Sequence, residues 1–299
     1  MIRTDLYNEL LDEIINTRTY LLDKPEESPE NALRALWFLA GGDPRAVERC
    51  LEEDLPILSE TSVNRLRNLL KKHIHGVPLA HLTGRQRFMD IEFLVGPEAL
   101  IPRKETEILG YAALEKIRET VATGGFSNII DLCTGSGNLA LALAYHEPKC
   151  RIFGADLSVD AITLAQRNAV HLALQDRLKF SVGDLFAPFA HDQYFGQIDM
   201  VVCNPPYISS QKVTEMSAEV SNYEPRLAFD GGPFGLSILV RLIAEAPQYL
   251  KKGGWLGFEV GLGQGNFIKK RLERNNSYSD IQMFPDMAGN PRAVLARCI

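Results

Sequence analysis

The chain has 299 residues, a length that predicts two domains, and its 45% hydrophobic and 23% charged residues are ordinary for a globular protein. A net charge of −6 argues against binding nucleic acid mainly through phosphates, and no apolar run resembles a membrane span or a signal peptide. The five cysteines have neither CxxC nor zinc spacing, so we expect free thiols, no bound metal and a cytoplasmic location.

Residues 1–84 are predicted to form a small helical domain. Leucine and isoleucine recur at helical spacing near Leu6–Ile15, Leu33–Leu39 and Val63–Ile74, and glycines follow the second and third segments. Between Thr61 and Arg87 there are six basic side chains and no acidic ones. Such a run is typical of a solvated helix face, and the alternative is a docking surface for a macromolecular partner.

Residues 85–98 are predicted to form a β-hairpin that links two domains. Phe88, Ile91, Phe93 and Val95 suggest short strands. Pro97 and Pro102 interrupt the pattern in this region, so we interpret it as the linker between domains.

Residues 99–299 alternate between strand and helix patterns. Strands are predicted at Asn128–Leu132, Arg151–Ala155, Leu178–Val182, Ile198–Cys203, Trp255–Val260, Ile281–Phe284 and Arg292–Ala296. Helices are predicted at Leu139–Tyr145, Val159–Leu172 and Leu236–Leu250, the last ending at Lys251-Lys252-Gly253-Gly254. Regular alternation indicates an α/β fold with a parallel sheet wrapped by helices, and ligands then bind beyond the carboxyl ends of the strands.

The first of these strands runs into a glycine-rich turn that a helix follows. Glycines allow the backbone to turn sharply and to approach a ligand closely. The turn does not match the GxGxxG spacing of dinucleotide-binding dehydrogenases, and no GK[ST] follows as in a P-loop. Taken alone, such a turn is a signal shared by nucleotide-binding folds, and the alternative is a purely structural turn. The residues of this turn are Cys133, Thr134, Gly135, Ser136 and Gly137.

Acidic residues follow the next two predicted strands. Asp156 can accept hydrogen bonds from both ribose hydroxyls of a bound nucleoside. Asp184 can accept from the adenine amino group, and Leu185 or Phe186 can flank the ring. A single aspartate after a strand is often only a turn residue. Three such features at three successive strand ends favour a nucleoside-containing cofactor.

The fourth strand runs directly into Asn204-Pro205-Pro206-Tyr207, the most specific pattern in the chain. Two prolines stiffen the backbone where the strand ends. The Asn204 Oδ1 atom and the Pro205 carbonyl can accept both hydrogens of a planar amino group, and Tyr207 can form a flat wall beside it. Such a site can aim the nitrogen lone pair at a sulfonium methyl group, so the pattern predicts methyl transfer to a planar nitrogen.

Several segments are similar to the class I methyltransferases that methylate the glutamine of the Gly-Gly-Gln motif in peptide chain release factors. The resemblance covers about residues 76 to 299. It is carried by Pro78–Gly84, Leu100–Glu107, Asp131–Gly137, Asn204–Ile208, Tyr223–Ala228 with Gly231-Gly232, Glu259–Gly261 with Gln264, and the tail residues Asp286, Gly289 and Arg292.

The resemblance implies S-adenosyl-L-methionine as cofactor, together with a small helical domain, a hairpin linker and a seven-stranded Rossmann-like sheet. From the basic 61–87 segment we predict that the helical domain docks the protein substrate. It implies that residues 133–137, Asp156, Asp184, Leu185 and Asn204 contact the cofactor, while Asn204 to Tyr207 hold the glutamine. On the other side, Leu100, Pro102 and Arg103 would line the cleft. We expect a monomer that binds neither membranes nor, directly, nucleic acid.

Three departures leave room for a paralogue with another substrate: Lys104 and Phe234 replace the usual proline and aspartate, and Cys133 replaces a glycine. One alternative is an N6-adenine methyltransferase acting on DNA or RNA, because the Asn-Pro-Pro-Tyr geometry suits both amino groups. That target would need base extrusion and a cationic groove. The other is a non-catalytic nucleotide-binding protein, against which the intact Asn204 argues.

Overall fold

The computed structural model describes residues 2–18, 27–51, 53–215 and 222–299. These residues form two compact units. The first contains the described residues up to Pro97 together with residues 222 and 223, and the second contains residues 98–215 and 224–299. The three-part division at residues 84 and 98 stays a prediction.

Helices dominate the first unit. Its core is built from buried apolar side chains, among them Leu10, Trp37 and Leu66, which come from three different helices. The second helix begins where Ser28 Oγ accepts a hydrogen bond from the Asn31 backbone at 3.2 Å. The helices are α1 (Ile2–Thr17), α2 (Pro29–Ala40), α3 (Glu60–Ile74) and α4 (Leu79–Thr83).

An antiparallel hairpin follows α4 within the same unit. Its strands are β1 (Arg85–Phe88) and β2 (Ile91–Leu94), joined by Met89 and Asp90, which both have positive φ angles of 46° and 65°. Two such residues suit the right-handed twist of a hairpin. The Glu92 carboxylate accepts a hydrogen bond from the Ala46 backbone at 2.8 Å, which ties the hairpin to the segment that follows α2.

A seven-stranded sheet with the order β5-β4-β3-β6-β7-β9-β8 forms the centre of the second unit. Strands β3 to β7 are parallel, and β9 runs antiparallel to both β7 and β8. This architecture confirms the predicted α/β fold. The strands are β3 (Ser127–Leu132), β4 (Cys150–Asp156), β5 (Leu178–Val182), β6 (Ile198–Cys203), β7 (Leu250–Glu259), β8 (Tyr278–Pro285) and β9 (Pro291–Cys298).

Helices pack against this sheet, and one of their predicted ends was wrong. The helices are α5 (Thr106–Gly124), α6 (Asn138–His146), α7 (Val159–His171), α8 (Ser210–Val213), α9 (Ser237–Glu245) and α10 (Gly265–Glu273). The helix predicted over Leu236–Leu250 ends at Glu245, and the Lys-Lys-Gly-Gly segment belongs to β7. Leu250 pairs with Ile198 of β6 in the parallel ladder, and Lys251 donates to Asp199 of the same strand at 2.6 Å. None of the described helices is long and apolar enough to cross a membrane.

The strand order creates a crevice at the carboxyl edge of the sheet. From β3 the chain moves outward through β4 to β5, and then returns to place β6 on the other side of β3. Leu132 is in register with both Ala155 and Cys203, so β3, β4 and β6 end at the same level. The strand order reverses here, and in open α/β sheets ligands bind outside such a point.

Candidate active site

A cleft of about 1160 Å³, counting space open to solvent, lies at this edge of the second unit. Most residues that the sequence predicted for the site line it, although they come from four strand ends and from the segment before α5. They are Leu100, Pro102, Arg103, Cys133, Thr134, Gly135, Ser136, Asp156, Asp184, Leu185, Asn204 and Pro206.

Three predicted site residues do not line the cleft: Gly137, Pro205 and Tyr207. Gly137 has a φ of 78° and precedes α6, and a Cβ there would lie only 3.0 Å from the Leu141 side chain. The backbone conformation and the close packing at position 137 therefore explain why a glycine occurs there. Pro205 is buried behind Asn204.

The glycine-rich turn is tied to the end of β4 by Asp156. Cys133, Gly135 and Gly137 all have positive φ angles, between 54° and 78°. Asp156 Oδ2 accepts from the Gly135 backbone and Oδ1 from the Ser158 backbone, each at 2.9 Å. Cys133 occupies a left-handed conformation that favours glycine, which costs roughly 1–2 kcal/mol for a residue with a Cβ.

Asp131, which the sequence analysis did not single out as a site residue, lies in the wall of the cleft with 1% of its surface exposed. It accepts a hydrogen bond from Thr134 Oγ1 at 2.5 Å. Burial raises the pKa of Asp131 to about 7, although the bond from Thr134 opposes this shift. A cationic ligand in the cleft would favour the ionised form of this carboxyl group.

Asp184 and Leu185 reach the cleft from the end of β5. The Asp184 carboxylate pairs with Arg241 Nη1 at 3.0 Å, and both side chains are about half exposed, so this ion pair contributes little to stability. Of the two apolar residues considered beside the adenine ring, Leu185 lines the cleft. Phe186 instead stacks on Tyr249 in the core, with ring centroids 4.3 Å apart.

The segment before α5 forms the facing wall, and Glu224 holds it in place. Glu224 Oε2 accepts from the Ile101 backbone at 2.9 Å, and Oε1 accepts from Arg103 Nη2 at 2.6 Å. The Glu224 side chain is 1% exposed, and removing one partner of such a buried ion pair is strongly destabilising. The buried carboxylate thereby positions the backbone that presents Leu100 and Pro102 to the cleft.

The Asn204–Tyr207 motif is anchored from both sides. Asn204 Nδ2 donates to Thr106 Oγ1 at 3.0 Å. Gln264 Nε2 donates to the Tyr207 carbonyl at 2.9 Å, while Gln264 Oε1 accepts from the Gly261 backbone at 2.9 Å. These contacts fix the motif at the end of β6 with little freedom to lose on binding.

The Tyr207 side chain points to a buried group of charges. Its hydroxyl bonds to Glu259 and lies 3.5 Å from Arg292 Nη2, and burial raises its pKa. A Cβ on Gly261 would lie 2.9 Å from the Tyr207 ring. The hydroxyl is thus occupied within the protein, and the predicted role of the ring as a wall for the substrate stays a prediction.

No group of three or more His, Cys, Asp or Glu side chains within the described ranges could hold a metal ion. The cleft lining contains no histidine or lysine side chain among those residues. Its polar side chains are mainly carboxylates, hydroxyls, one arginine and the amides of Asn138 and Asn204. This set suits a neutral or cationic ligand rich in hydroxyl and amino groups.

Comparison with known proteins agrees with this geometry. Residues 113–222 match the family model "Methyltransferase small domain". The hMettl16 catalytic domain, solved in complex with MAT2A 3'UTR hairpin 6, has a similar fold with a TM-score of 0.54 and 16% identity, over 77% of this chain and 81% of that one.

Curated relatives resemble the chain over most of its length. The "Release factor glutamine methyltransferase" of Moorella thermoacetica is 37% identical over 260 residues, which cover 87% of each protein. The protein with the same name from Geobacter sulfurreducens is 35% identical over 283 residues, or 94% of each. Identity of this level over nearly whole chains shows a common family. The chain therefore belongs to the release factor glutamine methyltransferase family, whose catalytic unit here has the class I methyltransferase fold.

Proposed function

We propose that the chain transfers a methyl group from S-adenosyl-L-methionine to the side-chain amide nitrogen, N5, of the glutamine in the Gly-Gly-Gln motif of release factors. The observation that carries the proposal is the position of Asn204, which bonds to Thr106 in the wall of a cleft that is also lined by the residues proposed to bind the nucleoside. The names of the relatives support the choice of substrate.

The residues of the cleft fit this cofactor. Gly135 lies at a positive φ of 54° with only the Ala99 side chain within 4 Å of an added Cβ, which leaves the backbone open to a ligand. Carboxylates at positions 131, 156 and 184 provide acceptors for hydroxyl and amino groups. Leu185, which is largely buried, provides an apolar surface. When bound, the cofactor supplies an electrophilic methyl group on a sulfonium sulfur.

In the proposed reaction, the protein holds and orients a weak nucleophile. An amide nitrogen has a delocalised lone pair, and that resonance sustains a rotation barrier of roughly 18–20 kcal/mol. Asn204 Oδ1 accepts one N–H hydrogen of the substrate and the Pro205 carbonyl accepts the other. The two bonds turn the lone pair toward the methyl group and favour charge building on nitrogen. No strong base is required, because the methylated nitrogen is acidic and releases its proton.

The cofactor part of the proposal predicts an effect of Asp156→Ala. This change removes the acceptor proposed for the ribose hydroxyls and also frees the Gly135 backbone, which Asp156 holds at 2.9 Å. Affinity for S-adenosylmethionine and S-adenosylhomocysteine should fall by about 1.5–3 kcal/mol, the size of hydrogen bonds to a charged group. Calorimetry measures these affinities, and NAD, which should not bind, is the negative control. Unchanged affinity would remove Asp156 from the cofactor site.

The substrate is tested by methyl transfer from radiolabelled cofactor into a whole-cell extract. The labelled macromolecule is then isolated and its modified residue identified. We expect label in a release factor. Label confined to nucleic acid would contradict the proposed substrate and favour the adenine alternative.

We further propose that basic residues of the first unit help to dock the release factor. Of the six basic side chains between positions 61 and 87, Arg67 pairs with Glu9 at 2.9 Å and Arg87 with Asp90 at 2.7 Å. The remaining exposed cations on α3 are Arg65, Lys71 and Lys72. They provide a local positive surface on a chain of net negative charge.

Neutralising these three residues together, as Arg65→Gln, Lys71→Gln and Lys72→Gln, should raise the KM for the release factor by about 5- to 10-fold at low salt with little change in kcat. Salt should reduce the difference between variant and wild type. The matched control removes the same charge from α10 through Lys269→Gln, Lys270→Gln and Arg271→Gln. Equal KM values for the α3 variant and the wild type would exclude the docking role.

A further inference from the structure

Hydrogen bonds lead from Asn204 into the core of the second unit. Asn204 Nδ2 donates to Thr106 Oγ1 at 3.0 Å, and Thr106 Oγ1 donates to Glu259 Oε2 at 2.6 Å. Thr106 and Glu259 are each only 1% exposed. Thr106 begins α5 and Glu259 ends β7, so two regular elements hold these side chains. We call Asn204, Thr106, Glu259, Arg292 and Tyr207 the Glu259 network.

Glu259 is surrounded by hydrogen-bond donors. Arg292 Nη2 lies 3.7 Å from Glu259 Oε1, and the Tyr207 hydroxyl also bonds to the carboxylate. Burial raises the pKa of Glu259, whereas the bond from Thr106 and the charge of Arg292 oppose that shift. The positive charge of Arg292 beside Oε1 favours the ionised carboxylate, which accepts from Thr106 Oγ1 at its other oxygen, Oε2.

The acceptor character of Glu259 sets the direction of the next two bonds. Thr106 has one hydroxyl proton, and Glu259 accepts it. The oxygen of Thr106 can therefore only accept from Asn204, which must offer its Nδ2. The Oδ1 atom is then at the opposite end of the amide. No donor within the described residues bonds to Asn204 Oδ1.

This orientation matters because the two ends of an amide have nearly the same shape. A reversed Asn204 amide would present N–H hydrogens to the hydrogens of a substrate amino group. Donor would then face donor, and the acceptor that aligns the substrate nitrogen would be lost.

We propose that Thr106 and Glu259 are positioning residues that select the productive orientation of the Asn204 amide. The inference rests on the proposed amide methylation, in which Asn204 Oδ1 contacts the substrate. Thr106 lies in the wall of the cleft with 1% of its surface exposed, Glu259 lies outside the lining, and we assign neither of them a direct contact with the substrate. They act through the donor-to-acceptor direction of the two hydrogen bonds from Asn204 to Thr106 and from Thr106 to Glu259. The buried carboxylate sets that direction because it accepts.

Glu259→Gln gives a sharp test because it keeps the shape of the side chain. Arg292 can only donate, so it will select the oxygen of the new amide and leave the NH2 group facing Thr106. The Thr106 hydroxyl must then accept from residue 259 and donate to Asn204, which reverses the Asn204 amide. We expect kcat to fall by about 10- to 100-fold, as for loss of a hydrogen bond to a charged group.

Thr106→Val removes the hydroxyl and should lower kcat by a similar factor, about 10- to 100-fold. Thr106→Ser keeps the hydroxyl and should restore most of the activity. Thr120→Val, on the same helix but outside the network, is the matched control. Cofactor affinity, measured by calorimetry, is the control for folding of each variant. It should stay within about twofold of the wild-type value, because sites that do not interact affect each other no more than that.

The two changes are then combined with Asn204→Ala, using the substrate that the wild-type chain labels. If Thr106 and Glu259 act through Asn204, neither Thr106→Val nor Glu259→Gln should lower kcat further by more than about twofold in that background. Equal losses with and without Asn204, or full activity of Glu259→Gln, would overturn the inference. Failure of the wild type to label a release factor would instead contradict the proposed function.

Discussion

Asn204→Ala should lower turnover by roughly 100-fold or more, comparable to losing one hydrogen-bond partner of a transition state. The change deletes the acceptor proposed for a substrate N–H and leaves Thr106 without the bond that it now accepts at 3.0 Å. The glycine-rich turn and Asp156 are bonded to each other independently of Asn204. Cofactor affinity should therefore change by less than about 1 kcal/mol.

Single-turnover methylation and calorimetry on the same preparation separate these two effects. Asn276→Ala, an exposed asparagine far along the sequence, is a suitable control and should behave as the wild type. Near wild-type turnover in Asn204→Ala would refute the mechanism. A large loss of cofactor affinity would assign Asn204 to cofactor binding and leave the reacting nitrogen without its proposed acceptor.

The side of the cleft that we propose for the cofactor could be predicted from sequence because its residues follow strands. Parallel strands bring their carboxyl ends to one edge, so Asp156, Asp184 and Asn204 had to lie near one another once the strands were recognised. The Asn-Pro-Pro-Tyr motif indicated the reaction, methyl transfer to a planar nitrogen. It could be interpreted from sequence because two prolines at a strand end restrict the backbone to one path.

The Glu259 network could not be found in the same way. Thr106 and Glu259 are 153 positions apart, and Thr106 belongs to a helix, α5, that the sequence analysis did not predict. Both residues lie within segments that carry the family resemblance, but position in a motif does not reveal which atoms bond. Their pairing depends on how α5 packs against β7, which is a property of the folded core.

Local signals were also overridden by tertiary contacts. The Lys-Lys-Gly-Gly sequence is typical of a helix end, yet it lies in β7, where Lys251 pairs with Asp199 of the neighbouring strand β6. Phe186 looked as suitable as Leu185 for flanking an adenine, but its ring stacks on Tyr249 in the core. In both cases a partner that is distant in sequence decided the outcome.

A larger effect is expected from a change in the substrate than from any change in the enzyme. Replacing the glutamine of the Gly-Gly-Gln motif in a purified release factor should abolish methyl incorporation, because the proposed nucleophile is then absent.

The physical argument for this target is its shape. Two glycines without side chains allow the loop to push the glutamine amide deep into the cleft, between the Pro102 segment and Asn204. Glu224 accepts from Arg103 of that segment at 2.6 Å, so a buried ion pair holds the wall in place. Free glutamine offers the same amide without the rest of the loop. It should be a poor substrate, since binding energy from remote parts of the protein substrate is missing.

The measurement uses radiolabelled cofactor with four acceptors: the intact release factor, its glutamine-replaced form, free glutamine, and DNA or RNA. Only the first should take up label at an appreciable rate. An adenine is wider than an amide and needs both an aromatic platform and a cationic track for phosphates, whereas the lining of this cleft offers one arginine, already paired with Glu224, among several carboxylates. Label in adenine, or label that persists on the glutamine-replaced release factor, would show that the substrate assignment is wrong even though Asn204 still aligns a planar nitrogen.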